Sequence, residues 1–287
     1  MTRVPNKTGV ISGATGFLGS LLAKHLAVSG HNLILLGRNL EKLEVLKNEI
    51  SKLSPVEVVV LQVDFESNFS GKVSDFLFQI SNDINFYINT LGTQPPLGPI
   101  TTFNPELWKR NIDINLNAPA ILTGLMSEIF IKNNSGTIIL VSGGGATKPR
   151  RDFSAYASAK TGLLRFVETT ALELADTKIR INAVAPGVLP SKMMEEIISN
   201  SRILDNCELQ IAQKAVKEKR DFDNLIALFN FLISDESIEI TGKLISADWD
   251  NWRNWPKHID ELKQTDLYTL RRITGKDRGV AWGEVSD

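Results

Sequence analysis

The run Val56–Val63, VEVVVLQV, is apolar almost without alternation. A strand of that composition is expected to be covered on both faces, as in a parallel sheet between two helical layers. Comparable short runs recur at Thr8–Ser12, Asn32–Leu36, Ile84–Asn89, Gly136–Val141, Lys178–Val184 and Gly242–Ala247. Helical spacing fills the intervals. Leu18, Leu21, Leu22 and Leu26 mark one apolar face, Leu40–Leu53 is amphipathic, and Gly71–Ser81 is a further helix. Phe153–Leu174 carries a stripe through Leu163, Phe166 and Val167, and Phe222–Ile233 is apolar. Strand and helix in alternation predict an α/β fold with a doubly wound parallel sheet. One domain is expected over 1–247, followed by a C-terminal extension over 248–287.

At 287 residues the chain is long enough for one large α/β domain, and its formal net charge is −1. That balance gives no global argument for nucleic-acid or membrane partners. Cys207 is the sole cysteine, so no intrachain disulfide can form. His25, His31 and His258 show no metal-ligand spacing, and no metal is expected. The start, MTRVPNKTG, lacks an apolar signal core, and no apolar run reaches the ~20 residues of a membrane span. The expected location is the cytoplasm.

Gly13, Gly16 and Gly19 follow the first strand and open the first helix, with Thr15, Phe17 and Leu18 between them; Gly30 is a plausible stop. Glycines there allow a tight turn and close approach of a pyrophosphate to the helix N-terminus, a Rossmann-type dinucleotide signature. The second strand ends in Gly37-Arg38-Asn39, without an acidic residue to hold a ribose diol. Arg38 offers a planar fork for a 2′-phosphate, so NADP(H) is expected over NAD(H). An exposed arginine at a helix start, neutral as to cofactor, is the alternative.

Tyr156 and Lys160 lie four residues apart in YASAK, hence on one helical face. An ammonium beside a phenol lowers the phenol's pKa and fits it for proton transfer near neutral pH. Ser142, upstream across a glycine-rich turn, offers a hydroxyl to orient a carbonyl or alcohol oxygen. With the glycine turn and the strand–helix alternation, the chain resembles the short-chain dehydrogenase/reductase family from about Thr8 to Ser246. The resemblance implies an NADP(H)-dependent oxidoreductase interconverting a carbonyl and a secondary alcohol, with Tyr156 as general acid/base and Lys160 holding the nicotinamide ribose.

By the same resemblance Asp64 touches the adenine. Asn89 and Gly92 form a loop against the cofactor, although Thr90 and Leu91 depart from the family's Asn-Asn-Ala-Gly. Asn104-Pro105 starts a helix that Pro119 should kink, freeing the carbonyl of Asn115 four residues earlier. In the family that carbonyl holds a water on a proton path to the lysine. Pro186-Gly187 is expected beside the nicotinamide, with Val188 and Ser191 at its carboxamide. Residues 188–220, with Met193, Met194, Ile197 and Ile198, are expected to form a mobile substrate lid. Ser142 precedes Tyr156 by fourteen residues where thirteen is usual, and Gly143 to Gly145 are expected to absorb the difference.

Two departures leave alternatives open. Gly-x-x-Gly-x-x-Gly is closer to the extended branch that modifies nucleotide sugars, so an epimerase, dehydratase or reductase of that kind is one alternative. A non-catalytic NADP-binding sensor is another. The tail holds four of the five tryptophans and is either a structural clasp or a wall of the substrate pocket. Lys148, Arg150 and Arg151 either attract an anionic substrate or form a solvated loop. A small-molecule carbonyl or alcohol is the expected partner, in a homodimer or homotetramer.

Overall fold

The computed structural model describes residues 7–80, 84–102, 104–200 and 203–280. Residues 1–6 and Ser81, Ser201, Arg202 and Trp282, all named or spanned above, lie outside the described residues. Seven strands form one sheet: β1 (Thr8–Ser12), β2 (Asn32–Gly37), β3 (Val58–Gln62), β4 (Ile84–Asn89), β5 (Gly136–Val141), β6 (Ile179–Ala185) and β7 (Leu244–Ser246). Their spatial order is β3-β2-β1-β4-β5-β6-β7, and every pairing is parallel. The order reverses between β1 and β4, where a doubly wound sheet opens a crevice at its C-terminal edge.

Helices cover both faces. α1 (Phe17–Val28), α2 (Leu40–Leu53) and α9 (Asp223–Ile233) pack on one face, and α3 (Ser70–Gln79), α5 (Ala118–Lys132) and α6 (Ser154–Glu173) on the other. Alternate residues of β5 serve the two layers: Ile139 and Val141 face the first, Ile138 and Leu140 the second. The run expected to be covered on both faces forms the edge strand of the sheet. β3 is shorter than Val56–Val63, and only Val58 of it is buried, because no strand among the described residues lies beyond it.

α4 (Pro105–Ile112) begins on Asn104, whose side chain accepts the N–H groups of Glu106 and Leu107 at 2.9 and 3.1 Å. The expected kink before Pro119 is a π-helical turn over Asp113–Asn117, inserted between α4 and α5. Pro119 cannot donate to Asn115, and the wider turn redirects the ladder, with the Ala118 N–H reaching the Asp113 carbonyl. The stretch Pro105–Lys132 is long and apolar enough to cross a membrane by composition alone. Leu122, Met126, Ile129 and Phe130, however, are buried beneath the sheet.

Two short helices, α7 (Lys192–Ser199) and α8 (Asn206–Lys217), occupy the segment expected as a lid. The tail folds back on its own chain. A 3-10 turn over Trp252–His258 leads into α10 (Ile259–Gln264), and Trp252 and Trp255 join the core under α9. Trp252 lies 5.1 Å from the Phe231 ring and Trp255 4.2 Å from Tyr268. Buried Lys243 donates to the carbonyls of Thr265 and Leu267, and Arg165 of α6 donates to that of Leu270. These contacts are those of a clasp. They also give a test: Trp252→Ala should cost about 3–5 kcal/mol in a chemical denaturation curve, as for a large core aromatic. A loss within the ±0.5 kcal/mol usual at a surface site would show that the tail is not part of the core.

Candidate active site

The crevice starts at the glycine turn. Gly13 has φ +74°, and a Cβ there would sit 3.0 Å from the Leu91 backbone nitrogen; one on Gly19 would sit 2.4 Å from the Gly13 carbonyl oxygen. Both positions therefore require glycine. Gly16 is the N-cap of α1, no side chain caps that end, and the first turn holds no acidic residue. Free N–H groups and the positive end of the helix dipole thus face the crevice, an arrangement that fits a pyrophosphate. Thr15 lies against Gly37 at the end of β2. Phe17 packs edge-on against Phe222 at 5.4 Å, and Leu18 is buried in the core, so neither side chain lines the turn's open face.

Beside this turn, Arg38 is two-thirds exposed and sits 3.5 Å from the Glu66 carboxylate. Glu66 is held by Arg110 of α4 through two hydrogen bonds of 2.7 Å. Hydrogen bonds from Arg110 hold the Glu66 carboxyl below its usual range. Asn39, expected at the cofactor, is the N-cap of α2, its side chain accepting from Lys42 N–H at 2.8 Å. Asp64 is exposed, and its carboxylate accepts the Glu66 N–H at 3.1 Å. Asn89 is fully buried; its carbonyl oxygen accepts from Ser12 and Tyr87, while its amide nitrogen has no partner.

Tyr156 and Lys160 share a buried face of α6, as their spacing predicts. The Lys160 ammonium nitrogen lies 5.8 Å from the Tyr156 ring centroid and donates to the Val141 carbonyl at 2.9 Å. Ser142 does not join them. Its hydroxyl is buried without a hydrogen-bond partner, and Gly143 faces the tyrosine instead: a Cβ there would lie 2.1 Å from the Tyr156 oxygen. Successive residues of an extended chain point to opposite sides, so the residue thirteen before Tyr156 takes the place expected of Ser142. The three glycines do not absorb the extra residue.

Asn115 is buried in the π-helical turn. Its amide donates to the carbonyl of Thr93 and to Asn111, and its oxygen accepts the Thr93 N–H at 3.3 Å. Asn111 donates in turn to the carbonyls of Thr93, Gln94 and Pro95. Together they pin the loop that follows Gly92. Sequence reasoning missed Asn111, although its position one helical turn before Asn115 was a readable signal. The same turn sits close on α6, with Leu116 meeting Gly162, where a Cβ would lie 3.1 Å from the leucine methyl.

The segment expected as a lid rests on the face of α6 that carries Tyr156. Met194, Ile197, Leu204 and Ala212 cluster with Phe153 and Tyr156, leaving Tyr156 6% and Lys160 2% exposed. A Cβ on Gly92 would lie 2.7 Å from the Met193 methyl. Two ion pairs fasten this arrangement. Arg150, stacked 3.6 Å above the Phe153 ring, forms a bidentate pair with Glu208 of α8 at 2.8 and 2.6 Å. Arg220 donates to the carbonyls of Pro186 and Val188 and pairs with Asp248 of the tail, directly over Gly187. Arg150 is therefore not free, while Lys148 and Arg151 are exposed. Ser191 is the N-cap residue of α7, and its hydroxyl makes no capping bond. No local pattern in the sequence pointed to Glu208, Arg220 or Asp248.

Burial dominates the electrostatics. It pushes the Tyr156 hydroxyl up to about 12, with the charge of Arg150 pulling the other way. The same burial pulls Lys160 down to about 7. The expected acidification of Tyr156 by Lys160 is thus not the net result under a closed lid. Desolvation penalises both the phenolate and the ammonium.

The family model described as short chain dehydrogenase matches residues 7–202. A Caenorhabditis elegans protein named dehydrogenase/reductase SDR family member 4 is 27% identical over 248 residues, covering 85% of this chain and 94% of its own. The human protein of that name is 24% identical over 254 residues, covering 85% and 88%. Among solved structures, a short chain dehydrogenase from Shigella flexneri complexed with NADP aligns with TM-score 0.75 at 23% identity, over 86% of this chain and 100% of its own. A xylitol dehydrogenase bound to NAD+ aligns with TM-score 0.75 at 23% identity, over 84% and 96%. These structural likenesses carry the fold.

Lys160 makes stability depend on pH. Its folded pKa lies below the unfolded value of 10.5, so the unfolded chain binds more protons between about 7 and 10.5. The cost of burying it is full below pH 7 and fades as pH rises through that window. Lys160→Met should therefore raise the melting temperature most at pH 7 and below, with the gain shrinking toward pH 10. A gain independent of pH would show that the lysine is not buried at this cost.

Proposed function

The chain belongs to the short chain dehydrogenase family, and on that premise we propose that it reduces a carbonyl to a secondary alcohol, or the reverse, with NADP(H) as cofactor and Tyr156 as the proton-transfer residue. Family membership makes it an NAD(P)-dependent oxidoreductase acting on a small molecule. The observation that carries the finer reading is the pairing of Tyr156 and Lys160 on one buried face of α6. They lie beside the end of β5, on the same C-terminal edge of the sheet that carries the uncapped start of α1.

A bound nicotinamide supplies the hydride. The residues of this chain bind, orient and manage the proton. The Gly13–Gly19 turn and the free N–H groups of α1 hold the pyrophosphate, and the loop from Asn89 to Gly92 lines the middle of the crevice. Arg38 takes the 2′-phosphate, with Asp64 at the adenine. The backbone of Pro186, Gly187 and Val188, with the Ser191 hydroxyl, meets the carboxamide. Met193 over Gly92 and the Arg220–Asp248 pair over Gly187 occupy that end in the closed arrangement. Loading therefore requires the segment 188–220 to swing away, as active-site lids do.

Burial keeps Tyr156 protonated at neutral pH, the form that donates to an alkoxide developing in the reducing direction. Lys160 holds the ribose once its bond to Val141 is exchanged, and its charge then favours the phenolate left behind. Asn115 keeps the loop after Gly92 in place, and its carbonyl, which Pro119 cannot bond, supports the water that returns the proton. With Gly143 opposite the phenol and the Ser142 hydroxyl turned away, Tyr156 carries the hydrogen bond to the substrate oxygen. Ser142 shares that role only if the segment 142–145 rotates.

Arg38 favours NADP(H), whereas structural neighbours are found with NADP and with NAD+ alike. The nucleotide-sugar reading drawn from the glycine spacing finds no support among these relatives, which match nearly end to end and are named dehydrogenase/reductases. The test is NADPH oxidation over a panel of carbonyl compounds. The wild-type chain should turn over at least one. Tyr156→Phe should lose about 10²–10⁴-fold in kcat, the usual contribution of a positioned acid, with NADPH binding unchanged. Equal turnover by the variant would take Tyr156 out of this role.

A further inference from the structure

The adenosine end of the crevice contains a cluster whose geometry is uneven. Gln62 donates to the Arg38 carbonyl at 3.0 Å and Val63 N–H to the Gly37 carbonyl at 2.8 Å. These bonds set the backbone of Arg38 beside the loop carrying Asp64 and Glu66. From the opposite bank, Arg110 on the capped helix α4 reaches the same carboxylate. Its Nε lies 2.7 Å from Glu66 Oε2 and its Nη2 2.7 Å from Oε1, while Arg38 Nη1 is 3.5 Å from Oε1. Arg110 thus makes the planar two-point contact, and Arg38 is left loosely held and mostly exposed.

We propose that Arg110 determines cofactor choice: by engaging both oxygens of Glu66 it leaves the Arg38 guanidinium available, so that this corner accepts a ribose 2′-phosphate rather than a plain diol. The inference rests on the reading of the crevice as a nicotinamide dinucleotide site. Formal charge shows the reason. Arg38, Arg110, Glu66 and Asp64 sum to zero, and without Arg110 the corner is left at −1. The Glu66 carboxylate would then pair with Arg38 or turn to the ribose hydroxyls, and in either arrangement a phosphate meets net negative charge. Glu196 of α7 also acts on Arg110 through its charge, though only Glu66 takes the fork.

The test is equilibrium binding of NADPH and NADH to the full chain, read by nucleotide fluorescence, with folding checked by thermal denaturation. Arg110→Met should weaken NADPH about tenfold or more, the scale of a charge-assisted contact, while NADH binding holds or tightens. Arg110→Lys, which keeps the charge without the fork, should fall between. Adding Glu66→Gln to Arg110→Met should restore most of the NADPH affinity by removing the unmatched carboxylate. Equal loss for both dinucleotides, or a double variant as weak as Arg110→Met alone, would overturn the proposal and reduce Arg110 to a structural role. Normal NADPH binding insensitive to Arg110 but lost in Arg38→Met would sink this proposal alone. Failure of the wild-type chain to bind either dinucleotide would sink the reading of the site as well.

Discussion

A lysine only 2% exposed, with its nitrogen on the Val141 carbonyl, is the contact around which the site is arranged. That hydrogen bond ties the middle of α6 to the end of β5, in the interior of the sheet's C-terminal edge. An ammonium there is expensive, which is why its pKa falls to about 7. The cost is tolerated because the same helix face sets Tyr156 against the backbone of Gly143. The π-helical turn before α5 makes the same kind of trade. It accommodates Pro119 and, through Asn115 and Asn111, locks the loop that follows β4.

The lid and the tail act on this arrangement through charge. Arg150–Glu208 attaches α8 to the loop between β5 and α6, and Arg220–Asp248 attaches the segment after α8 to the start of the tail. Both pairs are partly shielded from water and so are screened less by salt than surface pairs. The clasp formed by Trp252, Trp255 and Lys243 gives Asp248 a fixed base. The placement of α7 and α8, the burial of Tyr156 and the fold of the tail are therefore linked through these ion pairs and the apolar contacts beneath them.

Much of the fold was legible in the sequence because it follows from short-range rules. Apolar runs separated by helical stripes implied a parallel sheet under two layers. The glycine turn, the Asn104-Pro105 start and the effect of Pro119 are backbone sterics, and each appears where expected. Tyr156 and Lys160 share a face because helical geometry leaves them no other choice. Burial was less legible: Val56–Val63 read as covered on both faces, and the strand there is an edge with only Val58 buried. The acidity of Tyr156 also came out reversed, since proximity to Lys160 could be read from spacing but the depth of burial could not.

By itself the sequence determined the order of elements, the turn at the start of α1 and the Tyr156–Lys160 face, all of which depend on residues within a few positions of one another. Only the tertiary structure decided that Gly143 rather than Ser142 meets the phenol, and that Arg110 rather than Arg38 holds Glu66. It also decided that Arg150 pairs with Glu208 and Arg220 with Asp248. Those outcomes depend on where a strand ends relative to a helix and on side chains separated by as many as 58 positions meeting across the crevice. Such distances are set by packing of the whole sheet, which no local pattern encodes.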